Sequence, residues 1–244
     1  MDKIRKEEII TSAIEFFETV ITKNHISNLK KLNKLSAFTY NPFLLKYLAN
    51  FLTGNNDSLS IAKILLYPRA LGTSINTSFG NNLQRFISEV LEGFGSVIPG
   101  IDIEFIDQVD KRKKYCQIKA GPQTINKDDI ETIKGHFSKV KNLARTNHLD
   151  ISLNDLTIGV LYGSVDELSP FYKTLNQDYT VLCGAEFWER LTGDKLFYIE
   201  LIEAFGVAAK KVDVKELFDS ILNELAIDIE NNFIKEQIGE PLQE

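Results

Sequence analysis

Two periods organise this chain. From residue 2 to about 35, Ile9, Ile10, Ala13, Ile14, Phe16, Phe17 and Val20 recur every three to four positions, which predicts a mostly helical stretch with one apolar face. Asn41-Pro42 interrupts it: Asn41 suits a helix cap and Pro42 a first helical position. Phe43, Leu44, Tyr47, Leu48 and Phe51 then form a second apolar stripe, closed by a turn at Gly54–Asp57. A third helix is predicted from Ser58 to about Leu66, ending near Tyr67-Pro68. The hydroxyl- and amide-rich segment Thr73 to Asn82 predicts a connecting loop. Leu83, Phe86, Ile87, Val90 and Leu91 mark another helix, which carries Glu89.

The period then changes from about 3.6 to two. Between Pro99 and Asp107, Asp102 and Glu104 alternate with Ile101, Ile103 and Phe105; between Tyr115 and Ala120, Gln117 and Lys119 alternate with Cys116, Ile118 and Ala120. Alternation places Asp102 and Glu104 on one face of a strand, and Gln117 and Lys119 on one face of its neighbour. Asn126 is positioned to cap a helix whose stripe is Ile130, Ile133, Phe137, Val140 and Leu143. Leu156–Gly163 and Tyr179–Gly184 are nearly all apolar, as strands covered on both faces should be. Helices are expected around Phe187–Leu191, with Trp188 in the core, from about Asp194 to Ala209 and from about Val214 to Ile234, before a polar tail, Glu236 to Glu244. The order predicts one α/β domain over 1–244: a mainly helical part to 92, a core over 93–205 and a helical end over 206–244.

Composition changes this picture little. The 43% hydrophobic share is enough for a full core, and no apolar run reaches the ~18 residues that span a bilayer. The first residues lack the apolar centre of a secretion signal, and the two cysteines, Cys116 and Cys183, sit inside strand-like runs. A cytoplasmic protein with reduced, buried thiols and no membrane partner is therefore expected. His25, His136 and His148 have no ligand spacing with either cysteine, so zinc is not expected. The net charge of −6 implies that an anionic partner must meet local cations, from Lys111–Lys114 or from Lys127, Lys134, Lys139, Lys141 and Arg145. Lys111–Lys114 also has the character of a solvated turn.

If the two alternating strands pair, an acid, an amide and a lysine converge. Asp102 offers a hard oxygen ligand for a divalent cation, Gln117 a neutral carbonyl oxygen, and Lys119 an ammonium for a water or a phosphate. Glu104, on the face of Asp102, and Glu89, on the preceding helix, are the acids that could complete a metal site. The loop that follows carries Gln123, Thr124, Asn126 and Lys127, groups able to contact phosphates or base edges.

Asp102 three residues after Pro99, Gln117-Ile118-Lys119 on the next strand, and a helix beyond resemble the PD-(D/E)xK nuclease core in its Gln-x-Lys variant. With Thr77–Gly80, Gly100–Asp107, Gln117–Pro122 and Phe187–Gly193, the chain from about residue 70 to 205 resembles type II restriction endonucleases, and among them the group cutting GGNCC-like palindromes. The resemblance implies a restriction-endonuclease-like mixed β-sheet core flanked by helices, with an N-terminal helical layer. It implies Mg²⁺-dependent hydrolysis of double-stranded DNA by a homodimer, with Asp102, Gln117 and Lys119 catalytic. The hydroxyl and amide groups of Thr73–Asn82 could also approach DNA, or the segment is only a connecting loop. A structure-specific repair or junction nuclease and a DNA-binding module with a decayed core are the alternatives.

Overall fold

The computed structural model describes residues 3–91, 94–210 and 214–238. The chain folds as two compact units, Met1–Phe17 with Asn82–Ala208 and Glu18–Asn81 with Ala209–Glu244. The end of the polar tail, residues 239–244, lies outside the described residues, as does Gly93.

The first unit holds a four-stranded sheet in the order β1-β2-β3-β4: β1 Ile103–Ile106, β2 Lys113–Lys119, β3 Leu156–Val160 and β4 Thr180–Cys183. β1 runs antiparallel to β2, whereas β2, β3 and β4 are parallel. Helix α7, Lys127–Thr146, makes the crossover from β2 to β3 that a parallel pair requires. Its start is fixed locally: Asn126 accepts from the backbone N–H groups of Asp128 and Asp129, and the Asp129 carboxylate accepts from that of Asn126, a complete capping box. Ile133, Phe137 and Val140 of α7 pack on the sheet face that carries Tyr115, Leu156, Ile158 and Val160. The opposite face is covered at Gly159, where an added Cβ would run into Phe187 of α9, Ala185–Thr192. Beside Phe187, Trp188 is buried and donates through Nε1 to the Leu161 carbonyl at 2.8 Å. The unit also holds α1, Lys3–Phe16, α8, Pro170–Leu175, and most of α10, Phe197–Lys210. This is the mixed α/β architecture the alternation predicts. Both cysteines are free and buried, and burial pushes the Cys116 thiol up to about 12.

The second unit is helical. Helix α2, Thr22–Leu29, helix α3, Pro42–Thr53, and helix α4, Ser58–Pro68, pack with α11, Lys215–Ile238, around Leu29, Leu45, Ala49, Ile61, Leu66, Leu225 and Ile229. Asn41 caps α3 by accepting from the Phe43 N–H at 3.0 Å. The apolar stripe of α3 is not its buried face, however. Leu45 and Ala49 are buried, while Phe43 is 91% and Phe51 78% exposed. α4 ends at Pro68 as expected, but the chain does not leave the helical path there. A π turn over Arg69–Ser74 follows it and passes into α5, Ile75–Asn81, so the predicted loop is helical. The wider register carries the chain past the N–H that proline lacks.

The basic run 111–114 is largely spent inside the first unit. Lys114 is buried between Asp110, at 2.6 Å, and Asp155, at 3.3 Å; Arg112 makes two hydrogen bonds to Asp155; Lys113 pairs with Glu104 at 2.6 Å. It is not a free cationic patch. Among the described residues no helix is long and apolar enough to cross a membrane.

Burial raises the Asp155 carboxyl, but hydrogen bonds from Arg112, from Ser152 and from Lys114 outweigh it and hold the group well below the ordinary carboxylate range. Its stabilising contribution is thus present above the ordinary carboxyl pKa of about 3.9 and is lost as pH falls below it. Asp155→Asn, which leaves Lys114 buried with one acid fewer, should destabilise the protein by about 3 kcal/mol in urea unfolding at neutral pH. The difference from the parent should shrink on acidification.

Candidate active site

The antiparallel register pairs Ile103 with Cys116 and Glu104 with Tyr115; carried one step further, it sets Asp102 opposite Gln117. Opposed residues in an antiparallel pair share a face, so Asp102, Gln117 and Lys119 lie on the same side of the sheet, the side that α7 covers. The Asp102 backbone N–H donates to the Cys116 carbonyl at 3.0 Å. Its carboxylate oxygen Oδ2 accepts from the Ile118 N–H at 2.7 Å. The acid is therefore tied to the peptide link between the glutamine and the lysine. Oδ1 accepts from Gln84 Nε2 at 3.2 Å, a side chain of α6, Leu83–Val90.

Gln117 is 7% exposed, and its amide is held on one side only. Nε2 donates to the Gly100 carbonyl and to His136 Nδ1 of α7. A carbonyl only accepts, so the nitrogen must face Gly100 and the oxygen must point the other way. The second amide hydrogen makes His136 Nδ1 an acceptor, which places the ring proton on Nε2. Gln117 Oε1 is buried, with no hydrogen-bond partner among the described residues. Such an orphaned acceptor is uncommon and favours a ligand that takes a lone pair. Gly100 makes the close approach possible: its φ is +87°, and a Cβ there would enter the His136 ring.

Lys119 Nζ lies 3.3 Å from Asp129 Oδ1, so the capping box at the start of α7 also holds the ammonium. Glu104 is engaged elsewhere, accepting from Ser96 Oγ at 2.6 Å and pairing with Lys113. Its hydrogen bond raises the Lys113 ammonium above its ordinary value despite partial burial. Glu89 is exposed and pairs with Arg85 at 2.5 Å. It stands five residues beyond Gln84, roughly 140° further round the helix, and does not share the face that reaches Asp102. Among the described residues no three His, Cys, Asp or Glu side chains cluster as a metal group. On the sheet face of Lys119, Asp102 and Gln117 offer side-chain oxygens, while the Asp129 carboxylate is paired with Lys119 itself. That set suits Mg²⁺, which is commonly held by one or two carboxylates with waters and substrate phosphate completing its shell.

In the loop after Lys119, Gln123 donates to the Glu167 carbonyl and Thr124 Oγ1 to the Gly121 carbonyl at 2.8 Å, while Asn126 Oδ1 caps α7. Lys127 is exposed and, among the described residues, without an ion pair. Lys139, Lys141 and Arg145 on α7 are likewise exposed and unpaired, whereas Lys134 pairs with Asp178 at 3.0 Å. The residues that sequence reasoning passed over are Gln84, Asp129 and His136. His136 stands next to Phe137 in the stripe of α7, on the helix that covers the face of Gln117; that adjacency was the available signal.

A mixed sheet flanked by helices, with an acid and an x-Lys strand paired at its edge, defines a restriction-endonuclease-like nuclease core. Residues 6–213 match the family described as Type II restriction endonuclease EcoO109I, and the chain belongs to that family. No curated protein matches it. Membership makes the chain a restriction endonuclease, a site-specific nuclease that binds and hydrolyses double-stranded DNA, and enzymes of this kind generally use a divalent metal.

Gly100→Ala should destabilise the protein by more than about 1 kcal/mol in urea unfolding, since the new Cβ meets the His136 ring and the backbone is strained at positive φ.

Proposed function

We propose that the chain is a Mg²⁺-dependent type II restriction endonuclease that cuts a palindromic DNA site, GGNCC-like, as a homodimer. The observation that carries this reading is the orphaned Gln117 Oε1 on the same face as Asp102. It supports an amide that serves as a metal ligand rather than a decayed acid. Asp102 and Gln117 would hold the cation between them. A divalent cation there supplies Lewis-acid stabilisation of charge developing on the scissile phosphate and lowers the pKa of a bound water.

The chain's own residues do the rest. The Ile118 N–H fixes the Asp102 carboxylate, Gly100 and His136 fix the amide so that its oxygen faces the site, and Asp129 keeps Lys119 at the edge of β2. Lys119 orients the attacking water and pairs with a phosphate oxygen, and Asp129 releases it as the phosphate arrives. Glu104 and Glu89, both ion-paired, remain available only if Lys113 or Arg85 is drawn off by DNA. Lys127 is the phosphate contact of the Gln123–Lys127 loop. Palindromic cutting matches two-fold DNA with two-fold protein, which is the ground for the homodimer.

Incubated with phage DNA, the protein should give discrete bands with Mg²⁺ and none with EDTA; a smear, or cutting of branched DNA alone, would replace this reading by a structure-specific nuclease. Lys119→Ala should bind DNA as the parent does and lose cleavage by about 10²-fold or more. Gln117→Leu should weaken Mn²⁺ binding measured by calorimetry on the DNA complex; unchanged binding there would remove the amide from the metal site. Sedimentation should give a dimer.

A further inference from the structure

The helical unit has two adjoining hollows of about 290 Å³ and 360 Å³ that share Ala37, Arg69 and Thr73. One is lined by Asn28, Lys31, Ser74 and Thr77 with Arg69, Thr73 and the apolar Leu32 and Ala37. The other is lined by Phe38, Ile64, Leu65 and Pro68, with Thr39 and the shared Arg69 and Thr73 among them. Together they make a cleft in which hydrogen-bonding and cationic groups stand beside the apolar side chains of Phe38, Ile64 and Leu65.

Several features separate this cleft from ordinary surface. Among the described residues no acid lines either hollow, in a chain with 34 acidic and 28 basic residues. Arg5, Arg85, Arg112 and Arg190 each hold a carboxylate. Arg69 and Lys31 are exposed and, among the described residues, make no ion pair. The Ser74 hydroxyl is buried with no hydrogen-bond partner among the described residues. Arg69, Thr73 and Ser74 belong to the π turn that follows Pro68, and π turns recur at functional sites because the widened register re-aims side chains. That turn is braced, since His25 Nε2 lies 2.9 Å from the Ala70 carbonyl.

We propose that this cleft is a second DNA-binding site, separate from the cleavage residues. It takes a backbone phosphodiester at Lys31 and Arg69 and the attached deoxyribose against Phe38, Ile64 and Leu65. A guanidinium, an ammonium and hydroxyl donors satisfy the oxygens of a phosphate, and a cationic or neutral ligand head would not need them in that combination. The apolar side chains of Phe38, Ile64 and Leu65 beside Arg69 favour a phosphate ester over inorganic phosphate. A free nucleotide has the same chemistry, but DNA is the phosphate ester that a nuclease of this family must grip. The proposal rests on the chain's being a DNA nuclease.

The test is anisotropy of a labelled random-sequence duplex in EDTA, so that nothing is cut, over a series of salt concentrations. Relative to the parent, Lys31→Ala with Arg69→Ala should raise Kd roughly tenfold and flatten the slope of log Kd against log salt by about 0.9 per lost contact. Lys46→Ala, which removes one exposed charge on α3, should move neither as far. Thr73→Val should weaken binding without changing the slope. Circular dichroism melts should match the parent, because both cations are exposed and unpaired. A double variant with parental Kd and slope overturns the cleft even if the parent cuts DNA. A parent that binds no duplex overturns the nuclease reading as well. Protection of the cleft by a nucleoside monophosphate that the duplex does not displace overturns DNA as the occupant.

Discussion

The pairing of β1 on β2 is the constraint on which the sheet unit depends. The side-chain period of a strand is two, so a slip of one residue would turn Gln117 and Lys119 to the face opposite Asp102. The register is held where the regular ladder stops. β1 begins at Ile103, and the Ile118 N–H, which would have no ladder partner there, is satisfied by the Asp102 carboxylate instead. One contact thus ends the strand, saturates a backbone donor and aims the acid. β2 carries the arrangement into the body of the sheet, since it also pairs in parallel with the buried β3. Arg112 and Lys114 lock the other end of β2 to Asp155 at the start of β3, so the strand that bears the site is fixed at both ends.

The amide at position 117 follows from its surroundings. Its nitrogen faces the Gly100 carbonyl, and a carboxylate in the same place would set two acceptors against each other. An amide resolves that conflict by presenting a donor to Gly100 and to His136 while leaving an oxygen for the other side. The consequence for the proposed metal site is a ligand set with one fewer negative charge than two acids give. Waters and the substrate phosphate must then contribute more to the cation's shell.

The sequence made the sheet legible, with its alternation in β1 and β2, apolar β3 and β4, and Asn126 at the start of α7. It did not show what covers a face. The stripe on α3 has a helical period, but the core of its unit takes Leu45 and Ala49 from between those positions, so Phe43 and Phe51 face outward. Pro68 does end α4, but the segment Thr73 to Asn82 beyond it, read as a loop from its small polar side chains, stays helical through a π turn and α5, with Leu66 and Ala70 buried in the core of the unit. The basic run misled for a related reason. A linear string of charge says nothing of Asp110 and Asp155, one close in sequence and one far, that neutralise it. In the candidate site Asp102, Gln117 and Lys119 were legible from alternation alone, whereas His136 and Gln84 reach them only through packing of α7 and α6.

These pairings change how the charge of the molecule should be weighed. A net charge of −6 counts every cation equally, although many are already committed to carboxylates. What a polyanion meets is the set left over. Lys127, Lys139, Lys141 and Arg145 stand exposed along the helix that covers the candidate site, and Lys31 and Arg69 at a cleft with no acid in its walls. Local potential from unpaired cations, further raised by a bound divalent ion, can therefore draw DNA to an acidic protein. The ion pairs that hold the sheet unit together are the reason the usable charge lies on α7 rather than on the turn that looks most basic in the sequence.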